Sequence, residues 1–137
     1  MLYNINNIEL YWEAAKPYIE KALFKTGANA EYGIDDIKKA LLDEKMQLWL
    51  WVADDDVMAV GVTEIICYPQ SKMLSLSFAG SEKMTIEDWF NGSVDELIRF
   101  AKHHGCNAIK GSGRPGWIKK FEKLGNVRSE ASFILEI

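Results

Sequence analysis

The sequence predicts a mixed α/β (α+β) fold: a mostly antiparallel sheet with a central strand-helix-strand crossover and helices on both faces. Three observations predict it. Residues 73–80 alternate apolar and small polar side chains, and a helical stripe of Ile86, Trp89, Phe90, Val94, Leu97, Ile98 and Ala101 follows, then a short strand over 107–112. Such a unit gives a parallel strand pair joined by a right-handed crossover. Upstream of it, apolar and β-rich runs separated by turn residues over 48–80 read as a three-stranded antiparallel meander, and two helical patterns open the chain.

In order along the chain, Asn7 caps a first helix whose inner face carries Ile8, Tyr11, Trp12, Ala15, Tyr18, Ile19, Ala22 and Leu23. Pro17 lies inside it, which predicts a kink or break near Lys16, and Gly27 ends it. A loop over 27–33 leads to a second helix with Asp35 and Asp36 in its first turn, ending by about Lys45. Leu48-Trp49-Leu50-Trp51-Val52 is an uninterrupted apolar strand, and 57–68 is a second strand with Gly61 in its interior. Asp54, Asp55 and Asp56 between them are explained by the turn preference of aspartate, and no metal site is expected there. Pro69-Gln70-Ser71-Lys72 is the next turn. A helix over 115–124 stops at Gly125, and 129–137, where Ala131, Phe133 and Leu135 alternate with Ser132, Ile134 and Glu136, predicts a final strand.

A chain of 137 residues suits one domain, 1–137, able to bury about 70% of its unfolded surface. Its 48% hydrophobic content argues against disorder. No apolar run spans a bilayer and the first residues lack the basic region of a signal peptide, so a cytoplasmic protein without membrane contact is expected. Cys67 and Cys106, each inside a structured segment, read as two reduced core thiols. Net charge is −4, which disfavours nucleic acid as a partner, but six cations against Glu122 give residues 110–128 a local charge of +5 and leave −9 elsewhere. That segment suits an anionic ligand or acidic protein partner; a solvated helix face is the plainer account.

Few side chains suggest chemistry. Glu64, a carboxylate in an apolar strand, suits a general base toward an amine, or lies on an exposed sheet face. His103 and His104 read as the cationic end of a helix before Gly105. Arg114-Pro115-Gly116-Trp117 follows the C-terminal end of a parallel strand, where open α/β sheets bind ligands. There Arg114 would grip an anion and Trp117 would wall a pocket, or Trp117 would pack under the sheet with Arg114 covering it.

The element order, with Gly111-Ser112-Gly113-Arg114-Pro115-Gly116-Trp117 followed by Phe121-x-x-Leu124-Gly125, resembles the GNAT N-acetyltransferase superfamily, and within it the small GNAT-like proteins of tailed bacteriophages. The resemblance implies that strands 73–80 and 107–112 splay and that acetyl-CoA lies in the opening. It further implies that backbone of Phe78, Ala79 and Gly80 holds the pantetheine, while Ser81 to Thr85 and the next helix start take the pyrophosphate. The loop departs from the family pattern: Ser81-Glu82-Lys83-Met84-Thr85 has no glycine, and Glu82, Glu87 and Asp88 oppose phosphate. Phe121 stands where many members place a tyrosine that protonates the leaving thiolate.

Two functions follow from the resemblance. One is an acetyl-CoA-dependent N-acyltransferase with a CoA thioester and an amine as substrates and with a degenerate pyrophosphate loop. The other is a non-catalytic phage-associated interaction or virion protein, in the host cytoplasm or the virion, that meets a protein partner through the basic 110–128 segment.

Overall fold

A computed structural model describes residues 1–81, 86–112 and 115–137, without the side chains of Ile86, Glu87, Trp89, Pro115 and Gly116. Strand β1 (Leu2–Ile5) precedes helix α1 (Ile8–Thr26), a 3₁₀ turn (Ala28–Ala30) and helix α2 (Ile34–Leu42). Strands β2 (Gln47–Ala53), β3 (Asp56–Tyr68) and β4 (Ser71–Ser81) form the meander. Helix α3 (Ile86–His103), strand β5 (Ala108–Gly111) and helix α4 (Pro115–Glu122) follow. The sheet order is β1-β2-β3-β4-β5, antiparallel throughout except for the parallel β4/β5 pair that α3 bridges.

Two cores sandwich the sheet. On one face α1 and α2 bring Trp12, Ile19 and Ile37 against Leu48, Leu50, Val60, Val62 and Phe78. On the other, Leu97 and Ala101 of α3 meet Leu2, Trp49 and Leu74. The apolar run in β2 is thereby explained: Leu48 and Leu50 face one core and Trp49 the other, so no position needs to be polar. The buried indole N–H of Trp49 donates to Thr63 Oγ1 at 2.9 Å, and that hydroxyl donates to Gln47 Oε1 at 2.8 Å.

Alternation in the meander is broken in two places: Met58 is an extra residue in β3 between the pairs Trp51/Ala59 and Val52/Val57, and a second break lies between β3 and β4. Val62 pairs with Phe78 but Thr63 pairs with Leu76, so Ser77 is an extra residue bulging from β4. Leu74 and Leu76 therefore pack toward α3, and Phe78 toward α1. At the β2/β3 hairpin, Asp54 (φ 50°) and Asp55 (φ 63°) form a tight two-residue turn of left-handed backbone that suits the right-handed twist of the strands.

Several expectations need correction. Pro17 does not break α1, which runs unbroken for 19 residues to the left-handed cap at Gly27 (φ 77°). Helix α2 ends at Leu42, within the expected bound of about Lys45, where the backbone turns back and Lys45 N–H donates to the Ala40 carbonyl. Strand β1 was absent from the sequence-based expectation; four residues carry too short a pattern, and pairing with β2 forms the strand. Cys67 is exposed near the β3/β4 turn, so only Cys106 is a core thiol. Residues 129–137 form no strand, since alternation makes a strand only where a sheet edge receives it, and among the described residues none does.

Candidate functional site

The pairing of β4 with β5 ends at Leu76 and Gly111. From Phe78 to Ser81, β4 continues its ladder with β3 while β5 no longer pairs with its other edge, which opens into a cleft among the described residues. On the α2 side this opening is a cavity of about 330 Å³. Its polar wall consists of Glu64, Ser75, Ser77 and Lys110; Tyr32, Met46 and Phe78 supply the apolar wall.

The local sequence explains each placement. Glu64 and Ser75 are directly paired across β3 and β4, and Lys110 is paired with Ser75 across β4 and β5. Residues paired in this way project to the same face. The three side chains thus form one row across three strands, and the serine hydroxyls of Ser75 and Ser77 lie 3.4 Å apart. Lys110 is steadied by Tyr68, whose hydroxyl accepts from Nζ at 3.3 Å and whose ring lies 5.9 Å from it. Tyr32, brought in by the 3₁₀ turn, stands edge-on to Phe78 with ring centroids 5.8 Å apart.

Of the residues singled out from sequence, Glu64 and Phe78 line this cavity. Ala79, Gly80 and Ser81 continue along the open edge of β4. Gly80 also answers to packing, because a Cβ there would stand 2.8 Å from the carbonyl oxygen of Tyr18 in α1. Thr85 and Arg114 lie outside the described residues, as does the acidic loop residue Glu82. Trp117 is not among the cavity residues; it stacks on Phe121 at 6.4 Å, and Phe121 meets Phe90 of α3 edge-on at 5.2 Å. This aromatic group joins α4 to α3.

Sequence reasoning missed Ser75, Ser77, Tyr32 and Met46. Alternating serines in β4 marked an unlike face, but only the pairing with Glu64 and Lys110 gives them a site. Among the described residues no cluster of three or more His, Cys, Asp or Glu side chains could hold a metal. His104 is tilted against Phe100 at 4.2 Å, and Gly105 (φ 75°) closes the helix beside it.

The same overall backbone path recurs in solved structures. A probable acetyltransferase superposes with a TM-score of 0.75 at 13% identity, covering 100% of this chain and 97% of its own. An aminoglycoside N-acetyltransferase in complex with CoA gives 0.71 at 11% identity, covering 100% and 93%. The chain has the GNAT fold. A predicted acetyltransferase from Clostridium acetobutylicum, solved with acetyl-CoA, has the same GNAT architecture, with a TM-score of 0.67, 14% identity and coverage of 99% and 96%. No family model and no curated protein matches the sequence itself. At these identities the GNAT likeness is one of backbone path, carried by a common order of elements rather than by shared side chains.

Among the described residues no helix is long and apolar enough to cross a membrane.

Proposed function

We propose that this protein is an acetyl-CoA-dependent N-acyltransferase acting on a small amine in the β4/β5 cleft, with Glu64 as its base. The observation that carries this reading is the row Glu64, Ser75 and Lys110 in the wall of the opening where β4 outruns β5.

The residues present fit a pantetheine. Beyond Leu76 the backbone N–H and C=O groups on the open edge of β4 are unpaired by β5, and pantetheine carries amides able to bond to such an edge as a strand does. Phe78, Ala79, Gly80 and Ser81 would hold it, with Thr85 near the pyrophosphate. When bound, acetyl-CoA supplies an acetyl group activated as a thioester. A carboxylate at Glu64 attracts a cationic amine and accepts its proton, leaving the nitrogen lone pair free to react. Tyr32, Met46 and Phe78 exclude water from one side of the cavity. Phe121 has no hydroxyl to give a departing thiolate, and its ring is committed to Phe90 and Trp117.

That commitment favours a second reading: a GNAT-fold protein without the reaction, phage-associated in host cytoplasm or virion, meeting a protein partner through the basic 110–128 segment. Calorimetric titration with acetyl-CoA at low salt, beside desulfo-CoA, separates the two. Micromolar binding, about −8 kcal/mol, and amine acetylation lost in Glu64→Gln support the first. Absence of both heat and thermal shift overturns it in favour of the second.

A further inference from the structure

Two side chains of opposite charge line the β4/β5 cavity without meeting. Glu64 on β3 and Lys110 on β5 stand on one face of the sheet, with Ser75 of β4 between them. Glu64 is half-buried, and among the described residues no ion pair or hydrogen bond engages its carboxylate. Lys110 meets no carboxylate among the described residues either; its Nζ donates instead to the neutral hydroxyl of Tyr68 at 3.3 Å. A charge in a cavity wall that finds no counter-charge in its own chain is left to a ligand.

We propose that the amine accepted here is that of a free amino acid with an apolar side chain, its ammonium group at Glu64 and its carboxylate at Lys110. The inference rests on the acyl-transfer reading above and names its acceptor. Spacing agrees. Neighbouring strands lie ~4.8 Å apart, so two steps set the backbones of Glu64 and Lys110 about 10 Å apart. A charge-assisted hydrogen bond of about 2.8 Å at each end leaves on the order of 4 Å between the ligand's amine and its anion, the scale of one amino acid. Ser75 offers its hydroxyl to the same carboxylate, and Tyr32, Met46 and Phe78 give the side chain an apolar wall. A volume of about 330 Å³ is at the lower end of the ~300–1,000 Å³ of ligand sites, which suits a single amino acid rather than an oligomer. The pair also selects by sign: a diamine would set its second cation against Lys110, and a plain alkylamine would leave Lys110 unanswered. In the transfer the ammonium gives one proton to Glu64, and its nitrogen bonds to the acetyl carbonyl carbon as the carbon–sulfur bond breaks. A second nitrogen proton passes through water to the departing thiolate, so the products are amide, thiol and one released proton.

The test compares leucine, leucinamide and isopentylamine as acceptors of acetyl-CoA, since they share amine and side chain and differ in the anion. The expected kcat/KM for leucine is about 10–100-fold above either analogue. Lys110→Met should raise KM for leucine by a similar factor with kcat little changed, and Lys110→Arg should restore part of the loss. A merely structural lysine would slow all three acceptors alike. NMR titration of the labelled protein with leucine alone supplies a readout free of turnover: shifts at Ser75 and Lys110 that leucinamide does not produce. Analogues acetylated as fast as leucine would overturn the amino-acid inference and leave the acyltransferase reading standing. Leucine shifts without acetylation of any amine would keep the amino acid as ligand and overturn the reaction, and absence of both would end the two together.

Discussion

Gly80 of β4 lies under Tyr18 of α1 so closely that a methyl group on it would meet the Tyr18 carbonyl oxygen at 2.8 Å and Tyr18 Cβ at 3.6 Å. The obstacle is helix backbone, which cannot rotate away. Gly80→Ala is therefore expected to destabilise the fold by about 1–3 kcal/mol, even with no ligand present. Thermal unfolding of the ligand-free variant checks this; an unchanged midpoint would leave the cleft as the only reason for the glycine.

Gly92 makes a sharper case. A Cβ there would collide with the indole edge of Trp51, whose Cζ3 would be 2.7 Å away. In an exposed helix Gly→Ala gains up to about 1 kcal/mol, while forcing a methyl into a packed aromatic costs about 1–3 kcal/mol. The collision wins, and Gly92→Ala should lower stability in urea unfolding where helix propensity alone would raise it.

Ser93 is fully buried in α3, and its Oγ has no hydrogen-bond partner among the described residues. An unsatisfied buried hydroxyl costs about 1–3 kcal/mol. Ser93→Ala should accordingly stabilise the protein, by up to about 1 kcal/mol once lost packing is deducted, read as a higher denaturation midpoint with unchanged slope.

The β2/β3 hairpin holds Asp54 and Asp55 at positive φ, which aspartate tolerates and glycine prefers. Asp55→Gly should stabilise the hairpin by a few tenths to about 1 kcal/mol, and also weaken the carboxylate repulsion in this run. A melting temperature raised in low salt, with a smaller gain in high salt, is the expected pattern.

Glu64→Gln keeps the shape of the cavity wall and removes its charge. Under the proposed reaction, acetyl-CoA affinity stays within about twofold while amine turnover falls by about 10²–10⁴. Equilibrium titration and initial rates, measured on the same preparation, separate the two effects.

Much of the fold was legible because periodicity survives without tertiary context. The α3 stripe of Phe90, Val94, Leu97 and Ala101 is the buried face, and the meander lies where turn residues placed it. What was illegible depended on partners. Leu2–Ile5 becomes a strand because β2 receives it, and 129–137 does not become one because no edge among the described residues does. The fate of Trp117 was undecided in sequence, since packing under the sheet and walling a pocket ask for the same side chain, and its stacking on Phe121 depends on the tertiary path of α4. The row of Glu64, Ser75 and Lys110 draws on three strands, and pairing registers cannot be read from any one of them.

The extra residue at Ser77 means that the cleft rests on register as much as on chemistry. Were Ser77 to take a place in the ladder instead of bulging, β4 would alternate without interruption: Phe78 would turn toward α3, and the apolar side of the cavity would lose its floor while every neighbouring residue type stayed the same. Substitution scanning would pass over this dependence, because no side chain at position 77 is indispensable to it. Deletion of Ser77 separates register from chemistry: it removes the bulge and its hydroxyl yet leaves Phe78 next after Leu76, on the α1 side where it already lies.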